Sequence, residues 1–318
     1  MEEGAYSGIA KQKNGIRITI NKKNIIMEQK TDLFGNPIET KGDLKKEFGA
    51  NPFSILDTKD GLWQARKRKW INMGIKSEVG RDAVAIHIGT TTYNENDKGK
   101  MSEYTSIFDP VLCELIYRWY CPQGGSILDP FAGGSVRGIV ANYLGYHYSG
   151  IDIRQEQIDS NREQALNILG VDNMPQWYCG DSNIILDQTW NKEFDLVFTC
   201  PPYADLEVYS NLKGDISNMQ YNDFIFMFES IMRKSCKLLK KGGMAIVVVG
   251  EVRDKQGNYY GFVPDTVKLM QRCDGMEYYN EAILATSLAS AAMRARGNMK
   301  TGKLVKVHQN ILMFKKNI

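Results

Sequence analysis

Ser126-Ile127-Leu128-Asp129-Pro130-Phe131-Ala132-Gly133-Gly134-Ser135 decides the fold. A short apolar run ends in an acid and a proline, two glycines follow, and Val136–Leu144 then reads as a helix. A glycine-bearing turn between a first strand and a helix lets a ligand approach the backbone and meet the helix N-terminus. Downstream the pattern repeats. Tyr148–Ile153, Gln176–Cys179, Asp195–Thr199 and Met244–Val249 read as strands. Gln155–Leu169, Tyr221–Leu239 and Pro264–Arg272 read as helices. Alternation at this spacing predicts βαβ units and a parallel sheet covered on both faces, an α/β fold. Glu281–Thr286 and Val307–Phe314 have no long helix pattern between them and suit an antiparallel hairpin closing one edge. No internal repeat or low-complexity tract interrupts the alternation.

Upstream the chain reads differently. Asn14-Gly15 is a turn signal for a short hairpin. Residues 62–75 (LWQARKRKWINMGI) read as a helix with Leu62, Trp70 and Ile71 as its apolar stripe and Trp63 at the edge. Polar residues 89–104 mark a boundary, so residues 1–100 are expected to form a small N-terminal extension and 101–318 the main domain. The length of 318 residues suggests about two domains, here one dominant and one small.

Composition narrows the class. Hydrophobic residues make up 43% and charged residues 24%, which suits a globular chain rather than a disordered one. No run of eighteen apolar residues offers a membrane span, and the first fifteen residues lack the apolar core of a secretory signal. Six cysteines without a CxxC pair predict free thiols in a reducing cytoplasm and no metal site.

The net charge of +3 hides a segregated distribution. Residues 59–81 carry +5, residues 294–318 carry +7, and the remainder carries −9. Segregation of this kind points to a polyanion partner. Arg66 and Arg68 in the first stretch and Arg294, Arg296 and Lys303 in the second are the candidate nucleic-acid contacts. Two solvated lysine-rich surfaces would give the same pattern. Residues 287–306, small and basic, are expected to be mobile without DNA and to lie near the substrate groove; base contacts are expected from this segment or from the N-terminal region.

Further strand ends carry chemistry. Asp152 closes the second strand nineteen residues past Gly133, where an acid accepts from ribose hydroxyls. Asp181 follows the third strand, where it is placed to accept from an adenine amino group. Cys200-Pro201-Pro202-Tyr203 follows the fourth. Each has a plainer reading: Asp152 as a helix cap, Asp181 as a turn residue, the glycines as packing, the prolines as a rigid strand exit. All of them at the carboxyl ends of strands, where open α/β sheets bind ligands, favours a site.

This set resembles the S-adenosylmethionine-dependent DNA amino-methyltransferases, which modify adenine N6 or cytosine N4. Asp129-Pro130-Phe131 with its glycines matches their loop, and Pro201-Pro202-Tyr203 matches their (Asn/Asp/Ser)-Pro-Pro-(Tyr/Phe) tetrapeptide. Thr105–Leu112 resembles the Thr-x-Lys-Pro segment of one subgroup, and Val307–Phe314 the family's last strand. Pro52–Asp57 and Trp63–Trp70 look like phage- and prophage-encoded modification methylases.

The resemblance implies a Rossmann-like methyltransferase fold with a mostly parallel seven-stranded sheet, and S-adenosyl-L-methionine as cofactor. Thr105, Asp129, Phe131 and Gly133 would hold its methionine half, Asp152 its ribose and Asp181 its adenine, with Ile153 also among the cofactor-binding residues. Pro201 would accept from the target amino group, and Tyr203 would stack on a base flipped out of duplex DNA. Cys200 departs from the family, since a thiol is a weak acceptor. Asp205, Glu207 or water would then hold the second amino hydrogen, or Cys200 acts as a nucleophile on a ring carbon. The competing readings are an RNA methyltransferase, transfer of another group, and a decayed DNA-binding protein.

Overall fold

The computed structural model describes residues 18–21, 24–27, 44–76, 108–188, 190, 193–203, 210, 212, 214–286 and 291–317. The chain divides into two units, Met1–Glu47 and Phe48–Ile318. In the first, β1 (Ile18–Asn21) and β2 (Asn24–Met27) pair antiparallel, with Asn21 opposite Asn24. The hairpin therefore turns after Asn21; Asn14-Gly15 lies outside the described residues. Helix α1 (Leu44–Phe48) runs across the boundary.

The second unit is built on a sheet of eight strands: β3 (Ile55–Asp57), β4 (Ser126–Asp129), β5 (His147–Asp152), β6 (Gln176–Cys179), β7 (Phe194–Thr199), β8 (Leu239–Val249), β9 (Met276–Ala285) and β10 (His308–Lys316). Their order is β3-β9-β10-β8-β7-β4-β5-β6. Only β10 pairs antiparallel with its neighbours; the other pairings are parallel. This is the expected Rossmann-like α/β fold with its antiparallel end, but with eight strands in place of seven. The extra strand, β3, comes from the segment expected to lie in an extension. It docks beside β9 with Ile55 opposite Ile283 and Asp57 opposite Ala285.

Period-two alternation explains how the sheet is covered. Ile127, Leu196, Phe198, Ile246 and Met313 join one buried cluster, while Leu128, Val197, Val247 and Leu312 join the other. Adjacent residues thus face opposite layers. Helices α3 (Pro110–Tyr120), α4 (Val136–Tyr143) and α5 (Gln155–Leu169) contribute to the first cluster. Helices α6 (Ser182–Ile185), α7 (Tyr221–Lys237) and α8 (Phe262–Gln271) contribute to the second. The chain order reverses direction at β4 and β7, which opens a crevice at their carboxyl ends.

Helix α2 (Gly61–Asn72), capped by Asp60, buries Trp63 and Trp70 and leaves Leu62 and Ile71 exposed. Of the expected stripe, Trp70 is buried and Trp63 joins it from the edge, while Leu62 and Ile71 do not belong to it. The indoles, two turns apart, carry more apolar area than Leu or Ile, and each finds a polar partner on α3 or its cap. Trp63 Nε1 donates to Asp109 and Trp70 Nε1 to Glu114, while Arg66 pairs with Glu114 and Lys67 with Asp109. The basic helix is thereby part of the sheet-bearing unit, so the boundary falls at residue 47 and not near 100.

Within the segment expected to be mobile without DNA, residues 291–299 form helix α9. Its alanines explain this, since Ala291, Ala292 and Ala295 are the strongest helix formers in the segment.

The sheet tolerates no side chain at Gly150, on β5. A Cβ there would meet the Tyr148 hydroxyl at 2.7 Å and the Ala132 Cβ at 2.8 Å. Gly150→Ala is expected to lower stability by about 1–3 kcal/mol through overpacking, read as a lower urea midpoint.

Candidate active site

The carboxyl ends of β4, β5, β6 and β7 surround a cavity of about 440 Å³, within the range of small-ligand sites. Phe131, Gly133, Asp152, Ile153, Asp181, Cys200, Pro201, Pro202 and Tyr203 all line it. Nine residues singled out in the sequence, from Phe131 to Tyr203, are therefore neighbours. Thr105, Asp205 and Glu207 lie outside the described residues.

The glycine loop is held by its own backbone and by Asp152. Gly133 has φ of +49°, in the left-handed region. Its N–H donates to Asp152 Oδ2 at 2.9 Å, and its carbonyl accepts from Asn161 Nδ2 at 2.7 Å. Asp152 Oδ1 accepts from the Arg154 N–H at 2.9 Å. Asp152 thus does not cap α5, whose N-cap is Arg154. Asp181 caps α6 by accepting from the Asn183 N–H at 2.8 Å, and it also lines the cavity. A methyl group on Gly214 (φ +96°) would come within 2.7 Å of Asp181 Oδ2, so glycine lets the 214–216 turn lie over this acid.

Asp129 is placed differently from expectation. It is fully buried and does not line the cavity. Its Oδ2 accepts from Arg137 Nε at 2.5 Å and Tyr148 Oη at 2.8 Å, and its Oδ1 from Thr199 Oγ1 at 2.7 Å and the Phe131 N–H at 3.1 Å. Four donors saturate the carboxylate, so its work is to hold the loop rather than to touch a ligand. Arg137 also donates from Nη2 to the carbonyls of Phe131 at 2.6 Å and Ala132 at 2.9 Å, and lies over the Phe108 ring. Burial works against its charge, but Asp129 beside it more than compensates and holds its pKa well above the ordinary value. Burial, with Asp129 adjacent, pushes Tyr148 well up, so its hydroxyl stays a donor.

Tyr203 is half-buried, edge-on to Phe262 with centroids 6.0 Å apart, and its hydroxyl accepts from Gln309 Nε2 at 3.0 Å. A Cβ on Gly250 would lie 3.6 Å from that hydroxyl and 3.7 Å from Lys306 Nζ, so the basic C-terminal stretch does reach this side of the site. Burial lowers the pKa of Lys306.

The expected nucleic-acid contacts separate. Arg66 is committed inward, to Glu114 at 2.6 Å and the Gly49 carbonyl at 2.5 Å, because α2 packs on α3 through this face. Arg68 and Arg296 are exposed, and Arg294 and Lys303 are half-buried. Sequence reasoning missed Arg137, Lys67, Asp109 and Gln309. A lone arginine in the otherwise apolar start of α4 was the available signal for the first.

Among the described residues, no cluster of His, Cys, Asp and Glu is arranged to hold a metal. Among them also, no helix is long and apolar enough to cross a membrane.

Residues 10–163 match the N6-N4 Mtase family, described as DNA methylase. The matched stretch is just under half of the chain. It contains the glycine loop and Asp152, and it ends before Asp181 and Cys200–Tyr203. The resemblance to DNA amino-methyltransferases is borne out over that stretch. No curated protein matches the chain.

Several solved structures are similar to the chain at low identity. TrmN from Thermus thermophilus is 15% identical, with a TM-score of 0.44; the match covers 66% of this chain but only 49% of that one. Magnesium protoporphyrin IX methyltransferase from Synechocystis PCC 6803, solved with bound SAM, is 12% identical over 73% of this chain and 88% of that one, with a TM-score of 0.42. A candidate DNA modification methylase, also from Thermus thermophilus, is 21% identical over 43% of this chain and 51% of that one, with a TM-score of 0.32.

Proposed function

We propose that the chain is an S-adenosylmethionine-dependent DNA methyltransferase that modifies an exocyclic amino nitrogen, adenine N6 or cytosine N4, of a flipped base. The observation that carries this reading is the convergence of Gly133, Asp152, Asp181 and Cys200–Tyr203 on one cavity. The residues suit the cofactor. The left-handed turn at Gly133 gives close backbone approach, Asp152 suits a ribose, and Ile153 with Asp181 suits an adenine ring and its amino group.

S-adenosylmethionine supplies an electrophilic sulfonium methyl group. An exocyclic amine is a poor nucleophile because its lone pair is delocalised into the ring. The Pro201 carbonyl accepts from one amino hydrogen and draws the nitrogen toward tetrahedral geometry. Tyr203 stacks on the base, with its hydroxyl steadied by Gln309. Catalysis is then mainly positioning and electrostatics, with no covalent enzyme intermediate. Arg68, Arg296 and Lys303 contribute phosphate contacts, so affinity falls with salt.

Cys200 is the position that separates this reading from attack on a ring carbon. Cys200→Ser is expected to keep methyl transfer to DNA from labelled cofactor within about tenfold, since a hydroxyl replaces the weak thiol acceptor with a better one. A carbon-5 mechanism needs the thiolate and would lose activity entirely. Mass spectrometry of the labelled nucleosides identifies the base and atom. Label in structured RNA but not in DNA would replace the substrate.

A further inference from the structure

The cavity extends beyond the residues used so far. Thr58, Gln64, Lys67, Phe108, Asp109 and Leu112 line the part contributed by α2 and the start of α3. With adenine at Asp181, ribose at Asp152 and the sulfonium facing Cys200–Tyr203, this part is left for the amino-acid end of the cofactor. That end is a zwitterion, and its carboxylate needs a cation. Among the described residues, three cations border the cavity. Arg137 gives Nε to Asp129 and Nη2 to two carbonyls. Arg154 gives Nη2 to Gln157 and lies beside Asp152, at the ribose end.

Lys67 is different. Its ammonium meets Asp109 Oδ2 at 3.0 Å, an ammonium carries three N–H donors, and its side chain is 29% exposed. Asp109 is itself immobilised by Trp63 Nε1 and by the N–H groups of Val111 and Leu112, so it fixes where the lysine head sits.

We propose that Lys67, positioned by Asp109, binds the carboxylate of the cofactor's amino-acid end and makes the site select the complete cofactor over truncated nucleosides. This rests on the function proposed above. It gives the basic helix a role in the cavity, where its charge alone suggested nucleic acid.

The test is calorimetric titration of the full chain with two ligands. S-adenosylhomocysteine carries the amino-acid end, and 5′-methylthioadenosine is the same nucleoside thioether without it. Lys67→Ala is expected to weaken S-adenosylhomocysteine by about 10- to 100-fold, the worth of one charge-assisted hydrogen-bonded pair, and to leave 5′-methylthioadenosine unchanged. Lys67→Arg should recover most of the lost affinity. A thermal melt of each variant reports folding independently. If both ligands weaken together, or neither does, the proposal is overturned. Loss of DNA affinity alone, with the ligand ratio intact, overturns it in favour of a phosphate contact. If the unaltered chain binds neither ligand, the methyltransferase reading itself falls, an outcome distinct from failure of the lysine assignment.

Discussion

Arg137→Met is expected to lower the unfolding free energy by about 3–5 kcal/mol, because it leaves the carboxylate of Asp129 buried without its counter-charge. The pair is almost wholly dry, with side-chain exposures of 5% and 0%. Dry pairs are costly to break from one side, since the surviving charge keeps its desolvation penalty. The same substitution frees the carbonyls of Phe131 and Ala132, so the loop around Gly133 loses its internal clamp. Urea unfolding followed by circular dichroism measures the first effect. The double variant Arg137→Met with Asp129→Asn should recover part of the loss, because neutralising the acid removes the unpaired charge. A double variant as unstable as the sum of the singles would contradict the account.

On the function proposed above, Asp152→Ala is expected to weaken S-adenosylhomocysteine by about 100-fold or more, because two ribose hydroxyls would lose a charged acceptor together. Stability should fall much less, since the acid lies at the cavity wall with 12% of its side chain exposed. The two effects separate in one preparation, by titration with S-adenosylhomocysteine and a thermal melt. Part of the loss would be indirect, because Asp152 also accepts from the Gly133 N–H and sets the path of the loop. Asp152→Asn can keep one of those backbone bonds, and is expected to fall between the unaltered chain and the alanine variant. An alanine variant that binds within about threefold of normal would remove Asp152 from the site.

The site was legible where its chemistry is local. Asp152, Asp181 and the Pro-Pro-Tyr run each end an apolar strand, so a few neighbouring residues reveal both type and position. Asp129 shows the limit. Its place at the end of β4 was readable, but its exposure depends on Arg137, Tyr148 and Thr199, up to seventy residues away. The glycine loop made it look like a ligand contact, and four donors converging from several elements made it a strut.

Helix α2 shows a second limit. Its apolar positions admit two overlapping stripes, and only the acceptors on α3 choose the one carrying Trp63 and Trp70. Those acceptors, Asp109 and Glu114, are more than forty residues downstream. The same distance hid Lys67, because a lysine among Arg66, Arg68 and Lys69 reads as solvent-facing charge. Gln309 and Tyr203 are 106 positions apart, and no local pattern joins them.

The parallel docking of Ile55–Asp57 beside β9 has a consequence for how the chain is made. The strand leaves the ribosome early, but its partner follows more than two hundred residues later. It must wait unpaired through most of synthesis, and its closure is among the most non-local events in folding. Until it arrives, the end of β9 is an open hydrogen-bonding edge, the kind of surface that recruits other chains. A fragment beginning near residue 101 would keep the Asp-Pro-Phe and Pro-Pro-Tyr elements yet carry that open edge permanently, and it would also lack Trp63, Lys67 and Trp70. Solubility and assembly thus tie residues 55–70 to the last fifty.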